Sequence, residues 1–410
     1  MAAGRHRLWL IGGLAFLFFG LLAVFSSVPP ALATPPHDVT AADVIVGTTD
    51  DETINDTVCS LREALLQQSP NCVGGTIVLS PAIYTLTKTI SGSLTVASGA
   101  NLNVTVDGGS AVIQGGPTWN KGILSVNSTA VVSISNVTFR DGNAGSAGGG
   151  GILNSGTLSL LNCQILSNTA NLLGGGILNV GGTLSIVETL IMSNVARGEG
   201  QGGGIYTSGP LTLVNSAVVS NTAEGSTVSN GGGGVFIEAF DPSVTLENVT
   251  LSGNLATFGG GLYVGQSSTA RMSYVTVVSN TAPNGGGIYT EGGVVLTSTI
   301  LAYNDCDMQL AGNITSQGYN LIQSNCGVIA QPGDLFDRDP LLGLLQYHGG
   351  PTPTHALNGA GPALNRIPLG TAGCGITFIT DQRGAQRPQS GGCDIGAFES
   401  AVVWLPMLQR

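Results

Sequence analysis

Apolar and polar positions alternate with a period of two in short runs such as Leu158-Ser159-Leu160 and Leu211-Thr212-Leu213. A period of two predicts strands, and no segment of this region carries a helical period. The runs recur. Six segments open on a glycine cluster and one aliphatic residue, Ile152, Ile177, Ile205, Val235, Leu262 and Ile288, at spacings of 25 to 30 residues. Each passes through an alternating strand into a second apolar stretch that ends in asparagine: Asn168, Asn194, Asn221, Asn254, Asn280 and Asn304. A coil of roughly 25 residues cannot bury its own apolar face. Stacked coils can, each strand pairing with the one above at about 4.8 Å. The pattern therefore predicts an all-β chain, a right-handed parallel β-helix. Glycines supply positive φ and close backbone approach where each coil turns, and the recurring asparagine forms a side-chain amide ladder along the stack.

Earlier coils are less regular. Thr76-Ile77-Val78-Leu79, Tyr84-Thr85-Leu86, Ser93-Leu94-Thr95-Val96, Asn103-Val104-Thr105-Val106 and Val131-Val132-Ser133-Ile134 alternate as strands. Nine or ten coils are expected between Thr76 and about Asn325, a rod on the order of 45 Å long. A solenoid exposes strand edges at both ends and needs caps. Before the first coil, Ser60 and Glu63 make a capping box and Leu61 and Leu65 share a face, so a short helix is expected across the first coil. After the last coil, the turn-rich residues 349–357, 381–384 and 393–399 read as an irregular C-terminal cap.

Composition narrows this picture. Charged residues are 9% and aromatics 5%, while glycine is 63 of 410. Mean hydropathy is +0.31, which is too apolar for disorder. The net charge of −11 argues against nucleic acid or an anionic membrane surface as partner. Arg5 and Arg7 precede an apolar run from Leu8 to Phe25, and Ala31-Leu32-Ala33 supplies a cleavage pattern. The reading is a signal peptide over 1–33, cleaved after Ala33; an uncleaved anchor is the alternative. The remaining organisation reads as an N-terminal linker and cap over 34–75, the β-helix over 76–330, a C-terminal cap or anchor-type module over 331–400, and an apolar tail over 401–410. The tail is a sorting signal or a final strand. Export permits disulfides. Six cysteines fall into local pairs, Cys59 with Cys72, Cys306 with Cys326 and Cys374 with Cys393, and Cys163 remains as a small buried apolar residue.

The segment CSLREAL at 59–65 resembles the CSLREA-type N-terminal module of exported bacterial β-helix proteins. GGPTPTHAL at 349–357, TDQRGAQRP at 380–388 and CDIGAFE at 393–399 are similar to the choice-of-anchor module those proteins carry at the C-terminus. The glycine-led coils resemble polymorphic outer-membrane and pectate-lyase-like repeats. The resemblance implies a pectin-lyase-like fold and a secreted or cell-surface location, and it implies no catalytic residues. One departure is visible: the chain has Gly361-Pro362-Ala363-Leu364-Asn365 where such proteins often read S-P-A-I-D.

No catalytic constellation, metal site or cofactor is expected. A lyase of this fold needs clustered carboxylates to hold Ca²⁺ beside a basic residue, and a hydrolase needs two carboxylates about 5 to 9.5 Å apart. Equivalent positions of adjacent coils hold Ser, Thr, Gly and Asn, and the acids Asp141, Glu188, Glu199, Glu238, Asp241, Glu247 and Glu291 are scattered. Asp305 with Asp307, and Asp334 with Asp337 and Asp339, read as turns sooner than as metal ligands. His348 and His355 lack partners at ligand spacing. One column is suggestive. After the leading aliphatic come Tyr206, Phe236, Tyr263 and Tyr289 in successive coils. Neighbours in a strand face opposite ways, so these four form an outward aromatic stripe for glycan or protein, unless a loop covers it. The functional expectation is a structural or adhesive surface protein that binds an extracellular glycan or protein and touches the membrane only through its signal or anchor. A polysaccharide lyase or glycoside hydrolase is the alternative.

Overall fold

The repeat folds as its alternation requires. In strand Thr157–Leu161 the inward positions Leu158 and Leu160 are buried and the outward Thr157 and Ser159 are polar, so the apolar face of such a strand is buried only within the stack. The computed structural model describes residues 43–53, 57–67, 70–145, 148–227, 230–238, 242–304, 308–310, 313–324 and 327–401. The leader 1–33, the tail 402–410, Asp241, Asp305, Asp307 and the pair Cys306 and Cys326 lie outside them.

The chain is a right-handed parallel β-helix with three long parallel sheets. The first has eleven strands, Val44–Ile45 at one edge and Asn313–Ser316 at the other. The second also has eleven, from Ile83–Leu86 to Leu335–Phe336, and the third has nine, from Leu94–Val96 to Met308–Leu310. A short fourth sheet of four strands begins at Asn143–Ala144 and ends at Thr222–Ala223. The leading aliphatics pair in the expected register, Ile152 with Ile177, Ile205, Val235, Leu262 and Ile288 in turn, and all six are fully buried.

The glycine clusters have two separate causes. One glycine ahead of the last two in each cluster adopts left-handed φ, as at Gly174 (61°) and Gly202 (65°). The next two lie against the coil above: a Cβ on Gly175 would sit 2.5 Å from the Gly203 carbonyl oxygen. Two further corners per coil also turn through left-handed residues, and from Asn136 to Asn280 those after the first and second sheets are, apart from Gly253, not glycine. Asn136, Asn162, Glu188, Asn215 and Asn248 turn between the first and second sheets with φ of 50° to 61°. Ser167, Ser193 and Ser220 do so after the second sheet. Asparagine tolerates this region because its short polar side chain bonds locally.

The asparagine ladder is present and continuous. Each Nδ2 donates to the Oδ1 of the next coil: Asn168 to Asn194 at 3.0 Å, Asn194 to Asn221 at 2.9 Å, Asn221 to Asn254 at 3.0 Å, Asn254 to Asn280 at 2.9 Å and Asn280 to Asn304 at 3.0 Å. The same Oδ1 accepts a backbone N–H, and each Nδ2 also donates to a carbonyl of the coil before. Buried amides are thus fully satisfied.

The N-terminal segment closes the first coil. Helix Leu61–Leu66 packs on strand Leu94–Val96, and Leu61, Ala64 and Leu65 enter the core. Ser60 and Glu63 form the capping box, and Cys59 is bonded to Cys72. The C-terminal segment does more than close the last coil. After strand Leu335–Phe336 it turns back and lies along the outer face of the second sheet as an irregular module with two short antiparallel pairs and the Cys374–Cys393 disulfide. Thr250 Oγ1 donates to Gln382 Oε1 at 2.7 Å, the Ala397 N–H donates to Thr276 Oγ1 at 2.9 Å, and Asn248 Nδ2 donates to the Thr380 carbonyl at 3.1 Å. Beneath it the outward positions are mixed: Ala217, Thr250, Ser252 and Thr276 are small or hydroxylated, while Val219 and Ile300 give the second layer apolar contacts.

Candidate binding cleft

The aromatic column forms, but not as an exposed stripe. Tyr206, Phe236, Tyr263 and Tyr289 stack in register with ring centroids 5.2, 4.5 and 5.3 Å apart, and they are only 3% to 6% exposed. The chain leading into each glycine cluster folds back over the third sheet and brings Leu173 and Phe258 against the rings. Phe258 meets Tyr289 edge-on at 5.3 Å. Burial, with Glu238 bonded beside it, pushes the Tyr206 phenol well above its ordinary value. Of the two alternatives the covered one holds and the exposed stripe does not: the column is a second small core, closed by loops whose course the strand pattern does not encode.

The other candidates serve structure. Asp334 accepts from Ser316 Oγ at 2.6 Å and from the Asn320 N–H at 2.8 Å, fastening the final turns. Asp339 bonds the Leu341 N–H and the Tyr303 hydroxyl. His355 donates from Nδ1 to the Gly343 carbonyl at 2.8 Å, so Nε2, 2.9 Å from Ser252 Oγ, accepts in the neutral ring. Burial holds His355 below its ordinary value. Cys163 is buried, and burial pushes its thiol up to about 12, so it is not a nucleophile at neutral pH. Among the described residues, no three His, Cys, Asp or Glu side chains are grouped to hold a metal ion.

The terminal motifs are used in the same way. Arg62 Nε donates to Asp51 Oδ1 at 2.7 Å, and its Nη1 donates to the carbonyls of Gly92 and Ser93. Arg387 Nη1 donates to Glu399 Oε2 at 2.9 Å, with both side chains fully buried, and the guanidinium lies 4.5 Å over the Tyr274 ring. Asp381 holds Arg383 at 2.7 Å, and Arg383 covers Phe398 at 3.6 Å.

What remains open lies on the early coils. A cleft of about 490 Å³ opens where the second sheet meets the short fourth one. Its cause is local. Strand Ala111–Gly115 runs into Gly116-Pro117, and Trp119 then turns inward, 4% exposed and part of the main core. The fourth sheet therefore starts only in the next coil, and the space beside it stays empty of protein. Gly115 is required there, since a Cβ would sit 2.3 Å from the Asp141 main-chain carbonyl oxygen and 2.6 Å from the Trp119 ring. One wall is a fixed polar column: Arg140 Nε donates to Gln114 Oε1 at 2.9 Å, and Gln114 Nε2 donates to Thr85 Oγ1 at 3.1 Å. Asn143, Thr169 and Arg197 also line the cleft. Among the described residues of the lining, Asp141 is the one carboxylate, 3.5 Å from Arg140. The signal in sequence was the run Gly115-Gly116-Pro117-Thr118-Trp119, which breaks the coil pattern. Scanned against protein-family models and searched against curated proteins, the chain finds no match.

Proposed function

We propose that this chain is an exported, cell-surface or secreted protein of the CSLREA and choice-of-anchor kind, with a structural or adhesive role, and that its early-coil cleft holds an extracellular ligand rich in hydroxyls. The observation that carries the binding reading is the cleft lining. It offers amides and hydroxyls that both donate and accept (Gln114, Asn143, Thr169, Thr85), a single carboxylate and a free guanidinium. Such a set suits a short saccharide segment, and about 490 Å³ lies within the usual range of ligand sites. Two disulfides suit an oxidising compartment. The buried ionisable groups of both terminal motifs are engaged in holding the ends.

The test is an oligosaccharide panel, read both by binding and by release of new reducing ends. Binding that falls at least tenfold in Gln114→Ala, with no new ends released, is the expected result. Release of ends that stops in Asp141→Asn would make the cleft catalytic and overturn the adhesive reading.

A further inference from the structure

The outward column on the third sheet changes character along the stack. From Leu153 onward every coil from Leu178 to Tyr289 fills it with a large apolar side chain, while the two coils before it carry Thr95 and Ser125 in register. The volume that larger side chains would occupy is left as a slot of about 360 Å³, with Leu153 as its end wall and Ala144 and glycine backbone along one side. A ring placed there continues the apolar stack. Lys121 is the one ionisable residue of the lining, it is exposed, and none of the described ion pairs includes it. The chain's net charge of −11 works against anions at long range, so an anion would be drawn here only by the local positive charge of Lys121.

The walls are held in advance. Buried Arg62 donates from behind to the carbonyls of Gly92 and Ser93 at 3.0 and 3.1 Å, and the Lys121 carbonyl accepts from the Asn143 N–H at 2.9 Å. Little ordering is left to be done on binding. We infer that this slot is a binding site for a planar aromatic carboxylate of one or two rings, its ring stacked beyond Leu153 and its carboxylate at Lys121. It is separate from the saccharide cleft, and its test does not depend on that reading.

The experiment titrates the full secreted chain with indole-3-acetate and with indole-3-acetamide by calorimetry. The acid is expected to bind at least tenfold more tightly than the amide. Lys121→Gln, a change of an exposed side chain, should bring the acid to the level of the amide. Ser125→Leu, which continues the column, should abolish both while the melting temperature stays within a few degrees. Failure of both probes to bind at millimolar concentration overturns the proposal. So does equal affinity for acid and amide, or binding that survives Ser125→Leu in a folded protein.

Discussion

Both ends of the solenoid are fastened by a disulfide and a buried arginine–carboxylate pair, yet the two fastenings work differently. At the N-terminus one carboxylate meets one guanidinium. Burial raises Asp51, but the Arg62 hydrogen bond and the N–H groups of Lys88 and Thr87 outweigh it and leave the acid below its ordinary value. At the C-terminus Arg387 pairs with Glu399 while a second acid, Asp394, sits beside them and meets the arginine only through its main-chain carbonyl. Burial pushes Glu399 up to about 7 despite Arg387, and neighbouring Asp394 adds to the rise. Asp394 is itself raised by burial. The N-terminal pair is short and self-contained over residues 51–93. The C-terminal pair joins a layer that lies over coils more than a hundred residues earlier in the chain. A cap that completes the first coil needs charge satisfied in place; a layer laid on a finished sheet tolerates charge that is only half balanced.

The largest effects should come from the arginines. Removing one partner of a buried pair costs about 3–5 kcal/mol. Arg62→Ala should lower the melting temperature of the whole chain, because the first coil loses its cover. Arg387→Ala should leave the solenoid folded and expose residues 340–400 to limited proteolysis. Equal protection of both regions in both variants would erase the distinction. Next come the disulfides, which close 13 and 19 residues. Replacing either pair with serine should cost about 3 kcal/mol in denaturant unfolding. A smaller loss, about 1 kcal/mol, is expected for Thr250→Val, which removes the bond to Gln382 and should show only in module protection.

The finest discrimination is in pH. Glu399 keeps a proton in the folded protein that the unfolded chain has released between about pH 4.5 and 7. Its contribution is therefore full below pH 4.5 and lost as pH rises through 7. Asp51 runs the other way: its contribution is present above about pH 4 and lost on acidification. Module protection should weaken from pH 5 to 8, and Glu399→Gln should flatten that slope. A slope unchanged in Glu399→Gln would assign the effect to another group.

Much of this was legible beforehand where the information is local. Period-two alternation and the glycine-led spacing placed Ile152 over Ile177 and Asn168 over Asn194, because a solenoid converts sequence interval directly into stacking. The Ser60–Glu63 capping box and the Cys59–Cys72 and Cys374–Cys393 pairs are also short-range. The failures are all of covering. Alternation shows that Tyr263 points away from the main core; it does not show that Phe258 and its loop lie above. Thr250 reads as an ordinary exposed threonine until Gln382, 132 residues later, bonds to it. The cleft went unread in the sequence, where its one trace is the break in the pattern at Trp119.

The asparagine ladder has a consequence for how such a molecule changes size. The inner members, Asn194 to Asn280, give and receive the same bonds, to the coil before and the coil after, whether the interval is 26 residues or 33. Excising the chain from one of these asparagines to the next would therefore rejoin identical donors to identical acceptors. Length is then a free variable of the fold: whole coils can be gained or lost by internal duplication and deletion, and the two fastened ends would still find the same neighbours only if the coils beneath the C-terminal layer are left alone.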